Sequence, residues 1–558
     1  MTAAAGVCVI KEEYVIQRPV NENPDTKKSK VDEDTSQSNS KKNKKRGQNK
    51  ARPKTFTDDK QNKPCPSINN LVSLGEKKSC QYANCKFIHN SLDYLKSKPE
   101  DLGKECHVFN LKGQCPRGIS CRFGSSHITP EGYNIIDKEK CEAWKEDTKN
   151  TLQNELQMKL QKKKYNFTTA ETIVKYLDPR NKTDTVPSMG AITDEDIIKL
   201  LPREKKNIDW QDKLYLSPLT TVGNLPFRRI CKEFGADITC GEMAVCESLL
   251  KGLKQEWALV KRHESEDIFG AQICGNNAYT ITKVAQVLKE NAELDFIDLN
   301  LGCPIDLIYK KGGGSGMMHR LPALELSVKS ASKLLDIPFT SKIRTGVYQD
   351  KKIAHTIIPK LVEWGASLIT LHGRSREARY TRSADWQYIE TCAKLAAPCP
   401  VYGNGDILSY DDYLQKRDIA PTVQGVMIGR GALVKPWIFT EIKERKLWDI
   451  SSKERFDIIK KFSNYGLEHW GSDTQGVENT RRFLLEWLSF LYRYVPVGLL
   501  EHPPQKINER PPSYFGRDDL ETLMASNNCA DWIKISEMLL GPVPDGFQFL
   551  PKHKANSY

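Results

Sequence analysis

The 558-residue sequence has no apolar run that approaches the length of about 18 residues that a membrane span requires. Its N-terminus, MTAAAGVCVIKEEYVI, lacks a basic region before an apolar core, so it does not predict a secretory signal. Only 39% of the residues are hydrophobic, which is low for a fully folded chain. We therefore expect no membrane association, a cytoplasmic or nuclear location, and at least one segment without a hydrophobic core.

Several enzyme signatures are also missing. The glycine-containing segments 402–407 and 427–433 do not form a G-x-G-x-x-G fingerprint, so a Rossmann dinucleotide fold has no support. The sequence offers no H-E-x-x-H motif and no Ser-His-Asp pattern. Zinc-dependent proteolysis and serine hydrolysis are therefore left without a basis.

Positive charge is concentrated near the N-terminus. The chain has 84 Lys and Arg against 71 Asp and Glu, a net charge of +13. The run 41–54 (KKNKKRGQNKARPK) holds six Lys and two Arg and no acidic residue. Residues 1–60 are also poor in aromatics and show no helical or strand period, so we predict a disordered basic arm. The arm is either a solvated linker or nuclear-localisation tract, or a segment that attracts RNA.

Cysteine is unevenly distributed. Six of the sixteen cysteines fall between positions 65 and 121, in two groups that each include a histidine. Four thiol or imidazole ligands in each group suit tetrahedral Zn²⁺ in a reducing compartment better than disulfides or free thiols. We predict two CCCH-type zinc fingers over 61–130. The predicted ligands are Cys65, Cys80, Cys85 and His89 in the first finger, and Cys106, Cys115, Cys121 and His127 in the second.

The second finger departs from the common C-x3-H ending. Ser125 stands where the histidine would follow Cys121, so His127 must reach over a longer loop. His107 is adjacent to Cys106 and is a poor alternative ligand on geometry.

Aromatic and basic residues lie among the predicted zinc ligands. They are Tyr82, Phe87, Phe109 and Phe123, with Lys86, Lys112, Arg117 and Arg122 nearby. Aromatic rings beside cations can stack on unpaired RNA bases, or they can form the only core that a small domain has. The sequence leaves both interpretations open.

Between residues 214 and 433 the pattern changes to short β-branched runs separated by longer amphipathic stretches, which is typical of repeated βα units. The predicted strands are KLYLSPLT (213–220), DITCGEM (237–243), IFGAQICG (268–275), FIDLNLGCP (296–304), FTSKIRTG (339–346), LITLHGR (368–374), PVYGNGDI (400–407) and GVMIGRGA (425–432). Eight strands in about 220 residues favour an α/β fold of the (β/α)8 TIM-barrel type over a doubly wound sheet. We place the barrel at 207–450, a helical spacer at 131–206 with one charged helix over 139–164, and a helical domain at 451–558.

Polar residues end these strands, where a barrel builds its active site. Lys342 and Arg344 share one face of a strand, as do His372 and Arg374 on the next. The glycines of YGNGDI (402–407) and MIGRGAL (427–433) follow the last two strands, where backbone N–H groups can approach a phosphate closely. Their pairing favours a phosphate ligand over ordinary turn glycines.

The segment DLNLGCP (298–304) offers a thiol at a turn. Asn300 ends a strand, Gly302 permits a sharp bend, and Cys303 lies in the loop that follows. The thiol can be a nucleophile, an acid or a packing residue. With an unperturbed pKa of about 8.5 it is mostly protonated at neutral pH, so it can donate a proton as readily as attack.

Five segments resemble the tRNA-dihydrouridine synthase family. They are SPLTTVGNLPFRR (217–229), TCGEMAVCESLL (239–250), DLNLGCPIDLIYKKGGG (298–314), HGRSREARYTRSADW (372–386) and GNGDI (403–407). The paired fingers and the tail RRFLLEWLSFLYRYVPVGLL (481–500) are similar to the eukaryotic branch that modifies uridine 47. The resemblance covers about residues 65–555.

The resemblance implies a barrel that binds FMN, is reduced by NADPH and converts a tRNA uridine to dihydrouridine. Hydride goes to C6 of the uracil, and the family's acid, which matches Cys303, protonates C5. The family's FMN contacts match Pro218, Leu219, Thr220, Gln272, Lys342, His372, Asn404, Gly405, Asp406, Gly429 and Arg430. Of these, Lys342 suits the negative charge of a reduced flavin, and Gly405, Gly429 and Arg430 suit its phosphate. We assign Asn300 and Arg374 to the positioning of uracil, flavin or nearby RNA.

The helical domain is expected to contact the same tRNA. Arg481, Arg482 and Arg493 are candidates to grip its backbone, whereas Trp487, Leu488 and Leu491 are simpler to interpret as core. Other RNA stays open as a partner, and no obligate protein partner is expected.

Two alternative functions remain. The first is a zinc-finger RNA-binding protein with an inactive barrel, which the intact GCP, HGR and GNGD segments argue against. The second is an FMN oxidoreductase of a free pyrimidine, which the fingers and the basic arm argue against.

Overall fold

The computed structural model describes residues 6–16, 62–73, 80–181, 206–378, 380 and 382–552. Most of the predicted basic arm, including its run 41–54, lies outside these residues. Within them, no helix combines the length and the apolar character that crossing a membrane demands.

Eight parallel strands form a closed barrel, as predicted. Their bounds are β1 Leu214–Leu216, β2 Ile238–Cys240, β3 Ile268–Cys274, β4 Phe296–Leu301, β5 Phe339–Arg344, β6 Leu368–His372, β7 Val401–Asn404 and β8 Gly425–Ile428. Each strand pairs with the next in sequence, and β8 pairs with β1, which closes the ring. Since every connection is a parallel crossover, all eight carboxyl ends meet at one rim.

Helices cover the outside of the barrel. In chain order they are Leu225–Glu233, Cys246–Leu250, Ala278–Asn291, Leu321–Leu334, Ala354–Glu363, Trp386–Ala396, Tyr410–Ile419 and Arg430–Val434. Several begin at side chains that accept a hydrogen bond from a backbone N–H of the first turn, namely Asn224, Asn277, Asp385 and Ser409. The sequence therefore marks these helix starts locally.

Aromatic rings close the amino end of the barrel. Trp210, Tyr215, Phe296 and Tyr402 meet edge to face, with ring centroids 5.8 to 6.5 Å apart. Edge-to-face contact is a favourable arrangement for such rings, and all four are buried. Because this end is filled, a ligand can enter only from the opposite rim.

The predicted single helix over 139–164 is wrong. The structure has two helices there, Lys138–Ala143 and Asn154–Gln161, and a third follows at Thr168–Leu177. Asn150 interrupts the helix with φ of 64°, and its side-chain amide donates to the carbonyl oxygens of Val260 and Glu293, each at 3.1 Å. The segment is thus attached to the barrel instead of acting as a free spacer.

Four longer helices follow the barrel, at Ser452–Trp470, Thr474–Leu491, Asp519–Ala525 and Cys529–Leu540. We call residues 451–552 the helical domain. Trp487 is fully buried, its ring lies 5.4 Å from that of Phe227, and its indole N–H donates to the Leu433 carbonyl at 3.1 Å. Leu488 and Leu491 are buried as well, so their assignment to the core is confirmed.

Two of the three arginines that we proposed as RNA contacts are structural. Arg481 is 0% exposed and donates to the carbonyl oxygens of Leu540 and Gly541, each at 3.0 Å. It therefore completes the carboxyl end of the last helix, whose final carbonyls have no partner within the helix. Arg493 is also buried, whereas Arg482 is exposed. The sequence could not separate these roles because all three are arginines on or near one helix.

The start of the predicted disordered arm is part of the fold. Residues 6–16 lie against the helical domain, where Val7 pairs with Arg510 and Ile10 with Leu500. Cys8 and Ile10 are buried in one cluster with Leu499 and Leu500. The prediction failed because these few apolar residues have no period of their own and find their core in a distant segment.

We expect Arg481→Gln to destabilise the helical domain by about 3 kcal/mol, because a buried ion pair with Glu478 and several carbonyl contacts lose their partner. The free energy of opening, measured by hydrogen exchange in Cys529–Leu540, should fall by that amount. The neighbouring Arg482→Gln is the control and should change it by less than about 0.5 kcal/mol. Equal effects of the two substitutions would contradict the structural role of Arg481.

Candidate functional site

The first predicted zinc finger has its four ligands together. The ligand atoms of Cys65, Cys80, Cys85 and His89 all lie within 4.8 Å of one another. Its aromatic residues face outwards, since Tyr82 is 77% exposed and Phe87 is 37% exposed. This finger therefore combines a set of ligands that suits Zn²⁺ with rings that are available to a partner.

The second finger is buried and also complete. The ligand atoms of Cys106, Cys115, Cys121 and His127 lie within 4.8 Å of one another. Neither ring nitrogen of His127 has a hydrogen-bond partner among the described residues, although the side chain is fully buried. A buried imidazole left in this way suits a metal ligand. The longer loop to His127 is thus no obstacle.

Other side chains of the second finger are used within the protein. Nε2 of His107 lies 2.7 Å from the Glu468 carboxylate, outside the ligand group. Phe109 stacks on His127 with ring centroids 5.2 Å apart, and Phe123 is buried. For this finger the aromatics form the core, and only the first finger keeps the alternative of base stacking.

The second finger is docked on the helical domain. The backbone N–H of Arg122 donates to the Ser472 carbonyl at 2.8 Å, and Arg117 donates to the Trp470 carbonyl at 2.9 Å. Glu468 joins three parts of the chain, because it also accepts from Arg229 of the barrel at 2.6 Å. The second finger is therefore attached to the helical domain, and Glu468 links this contact to the barrel.

Five basic side chains converge at the carboxyl rim of the barrel. They are Lys342 and Arg344 from β5, His372 at the end of β6, Arg374 just after it, and Arg430 after β8. Asp406 accepts from Arg374 at 2.6 and 2.7 Å and from Arg430 at 2.7 Å. Asp298 lies deeper on β4 and faces Lys342. Positive charge therefore exceeds negative charge at this rim.

Burial sets the protonation of these groups. Burial, with the nearby Arg344, lowers the pKa of Lys342 to about 8. Burial and the surrounding cations lower the pKa of His372 well below its usual range, so its imidazole is neutral at pH 7. In each case desolvation is the larger cause, and the positive charge already at the site adds to the cost of protonation. An anionic ligand would relieve that cost.

Backbone and side-chain groups at the rim suit a phosphate-bearing cofactor. His372 Nδ1 and Arg374 Nη1 are buried without a hydrogen-bond partner in the described residues. Gly405 has φ of +132°, and a Cβ there would lie 2.6 Å from Ala384 Cβ, so a larger residue is excluded. Open donors beside a glycine that brings the backbone close are what an anion site requires.

The remaining predicted cofactor residues surround the same rim. Asn404 on β7 receives a hydrogen bond from Lys342 at 3.3 Å and donates to the Met427 carbonyl at 2.6 Å. Gly429 directly follows β8, and a Cβ there would approach Ser217 no closer than 3.5 Å. The loop after β1 carries Pro218, Leu219 and Thr220, of which Thr220 is exposed, and the last of the set, Gln272, lies on β3. The barrel thus brings all of these residues to one end.

Cys303 lies at this rim in a rigid loop. Asn300 Oδ1 accepts from the backbone N–H groups of Gly302 at 3.1 Å and Cys303 at 2.8 Å. Ser315 Oγ donates to the Cys303 carbonyl at 2.8 Å, and Arg344 donates to the Gly302 carbonyl at 2.8 Å. Burial raises the pKa of the Cys303 thiol above its usual value. The thiol is therefore held protonated at neutral pH.

Comparison with known proteins identifies the relatives of this chain. Residues 215–486 match the family model described as dihydrouridine synthase (Dus). A Xenopus laevis protein named tRNA-dihydrouridine(47) synthase [NAD(P)(+)]-like is 55% identical over 548 residues, which cover 94% of this chain and 85% of the relative. Proteins of the same name from Homo sapiens and Arabidopsis thaliana are 53% and 42% identical, over 92% and 88% of this chain and 84% and 85% of the relative, respectively.

The chain belongs to the dihydrouridine synthase family.

Some residues of the synthase site could not be assigned from the sequence. Tyr380 packs against two of the rim cations, with its ring centroid 4.0 Å from the Arg430 guanidinium and 5.6 Å from that of Arg374. It lies in a loop, where no period marks it. Asp298 was also missed, although it is two residues before Asn300 on one strand and so shares its face.

If both Cys/His groups hold zinc, different consequences of metal loss are expected for the two. Cys121→Ser and Cys80→Ser should each remove one of two bound zinc ions, as measured by elemental analysis. Because the second finger hydrogen-bonds to the carbonyls of residues 470 and 472, Cys121→Ser should speed hydrogen exchange at 468–474 more than Cys80→Ser does. It should also lower the melting temperature by at least about 3 °C. Equal exchange at 468–474 in the two variants would refute this division.

Proposed function

We propose that this synthase reduces a uridine of tRNA to 5,6-dihydrouridine, with FMN as its flavin and NADPH as its reductant. The observation that carries the proposal is the buried, protonated Cys303 held beside a cationic rim. The printed name of the relatives, tRNA-dihydrouridine(47) synthase [NAD(P)(+)]-like, supports the substrate, the nicotinamide and position 47 in the variable loop of the tRNA.

The rim residues would hold FMN by charge and by backbone approach. Arg430 and the glycines Gly405 and Gly429 would hold the phosphate, because they combine a cation with space for close contact. Lys342 would face the ring system, where its positive charge stabilises the negative charge of the reduced form. When bound, the reduced flavin supplies hydride to C6 of the uracil.

Cys303 supplies the proton that complements this hydride. Addition at C6 leaves negative charge on the uracil carbonyl system, and a proton at C5 completes the reduction. Since burial raises the pKa of Cys303, the thiol retains its proton at neutral pH and can act as a general acid. Its loop is fixed by Asn300 and Ser315, so the acid is positioned before the substrate arrives.

We infer different roles for Asn300 and Arg374, which we assigned to the positioning of uracil, flavin or nearby RNA. Both ends of the Asn300 amide are occupied, since its Nδ2 donates to Gln272 and its Oδ1 accepts from the Cys303 loop. Its role is therefore to position Cys303. Arg374 is held by Asp406 and by the Arg382 carbonyl, which leaves Nη1 for an oxygen of the flavin or the uracil.

The RNA must deliver an unstacked uracil to this rim. The aromatic end of the barrel is closed, so the base must leave its stack and enter from the carboxyl side. Tyr82 and Phe87 of the first finger are exposed beside the exposed Lys86, an arrangement that suits stacking on unpaired bases. We infer that this finger, and the exposed Arg482, help to hold the tRNA.

The alternatives have less support. An inactive RNA-binding protein has no use for a buried thiol fixed by two hydrogen-bonded side chains at a cationic rim. An FMN oxidoreductase of a free pyrimidine has no use for the exposed rings of the first finger.

We expect Cys303→Ala to bind FMN and tRNA and to be reduced by NADPH, yet to form dihydrouridine at least about 100-fold more slowly, because the positioned acid is lost. Single-turnover dihydrouridine formation and flavin absorbance measure the two steps separately. For the native protein, the raised pKa means that the acid form of Cys303 persists into alkaline solution, and its contribution to the rate is lost as the pH rises through that pKa.

Cys303→Ser is the matched control, because it keeps a hydroxyl of similar size that is a far weaker acid. It should be slow like the alanine variant. Near-normal dihydrouridine formation by either variant would contradict the acid role, and loss of FMN by both would make Cys303 a structural residue.

A further inference from the structure

Three buried side chains form a hydrogen-bonded chain beneath the Cys303 loop. Asp298 Oδ2 accepts from Gln272 Nε2 at 2.7 Å, and Gln272 Oε1 accepts from Asn300 Nδ2 at 2.7 Å. Asn300 Oδ1 then accepts from the Cys303 backbone N–H at 2.8 Å. None of the three side chains is more than 9% exposed.

The barrel itself fixes where these side chains lie. Gln272 on β3 is the register partner of Asp298 on β4, so their side chains are neighbours across the two strands. Asp298 and Asn300 are two residues apart on β4 and therefore point to the same face. Thr340, the register partner of Asp298 on β5, donates to Asp298 Oδ1 at 2.7 Å. The Asp298 carboxyl group is thus held from both neighbouring strands.

Groups at the two ends determine the orientation of both amides. At one end, the backbone N–H groups of Gly302 and Cys303 can only donate, so they require the oxygen of Asn300. At the other end, the carboxylate of Asp298 requires the NH₂ of Gln272. Only one orientation of each amide satisfies every contact.

If the acceptor at Asp298 were lost, only the loop end would still fix the orientation of the two amides, and the NH₂ of Gln272 would be left buried without that acceptor. Gln272 could turn its amide over, and Asn300 could follow and present its NH₂ to the loop. Two donors would then face each other at Cys303, and a buried donor without an acceptor costs about 1–3 kcal/mol. The loop would therefore hold the thiol less firmly.

We infer that Asp298 is a positioning residue for Cys303, acting through Gln272 and Asn300 to fix the loop that carries the thiol. The inference rests on the proposed function only in that Cys303 is the acid. Asp298 lies below the rim and hydrogen-bonds to Gln272 and Thr340 and not to the loop, so its effect on the loop is transmitted by the two amides.

The first test compares two substitutions at one position. Asp298→Leu removes the acceptor, whereas Asp298→Asn keeps an oxygen for Gln272 and can turn its NH₂ towards the Thr340 hydroxyl. Hydrogen exchange at Gly302 and Cys303 should become at least about 10-fold faster in the leucine variant and stay within about 3-fold of the native rate in the asparagine variant. Dihydrouridine formation should fall in the same order.

A second test does not depend on the folding of the leucine variant. Asn300→Asp places a carboxylate on each side of the Gln272 amide. The amide oxygen then faces one carboxylate without a hydrogen bond, so the contact with position 300 or with Asp298 is lost and hydrogen exchange at the loop should rise. In the double variant Asp298→Asn, Asn300→Asp the hydrogen-bonded chain can form again with donors and acceptors exchanged along it. The amide introduced at position 298 then donates to Gln272, which donates to the carboxylate introduced at position 300. Protection of Gly302 and Cys303 should therefore return.

The inference is overturned if Asp298→Leu exchanges at the native rate, or if the double variant is no better protected than Asn300→Asp. Because exchange needs neither substrate nor turnover, this result is independent of the proposed function. Should Cys303→Ala prove active while exchange behaves as expected, the acid assignment fails and the positioning of the loop stands.

Discussion

Excess positive charge at the carboxyl rim of the barrel is the constraint on which the site depends. Lys342, Arg344, Arg374 and Arg430 face Asp406 and the deeper Asp298, so cations outnumber carboxylates among the described residues of the rim. Burying unmatched charge is costly, and the lowered pKa of Lys342 is one expression of that cost. A bound phosphate would balance the charge, and it would also raise the pKa of Lys342 towards its usual value.

Burial shifts the pKa values of neighbouring groups in opposite directions, and this separates their roles. It removes positive charge from His372 and favours the neutral, protonated form of Cys303. The rim therefore combines fixed cations, a neutral imidazole and a proton donor in one place. The zinc fingers lie elsewhere, one docked on the helical domain through residues 468–474 and the other with exposed rings. Chemistry and RNA contact are thus assigned to different parts of a connected protein.

The sequence predicted the barrel well because each strand is a short apolar run between helical segments, and all eight strands were found. It also predicted which cysteines and histidines come together in two groups that could hold zinc, since ligand type and spacing are local. It failed where a residue's role depends on a distant partner. Arg481 could not be distinguished from Arg482 without the helix end at Leu540. The break at Asn150 depends on carbonyls of the barrel, and Asp298 acquires its role only through Gln272 on another strand.

The most direct measurement of the central claim is nucleoside mass spectrometry of tRNA from cells with and without this protein, read at each uridine. The account predicts that dihydrouridine at position 47 of the variable loop is present only when the protein is present, with uridine in its place otherwise. Unchanged dihydrouridine at every position of every tRNA would contradict it.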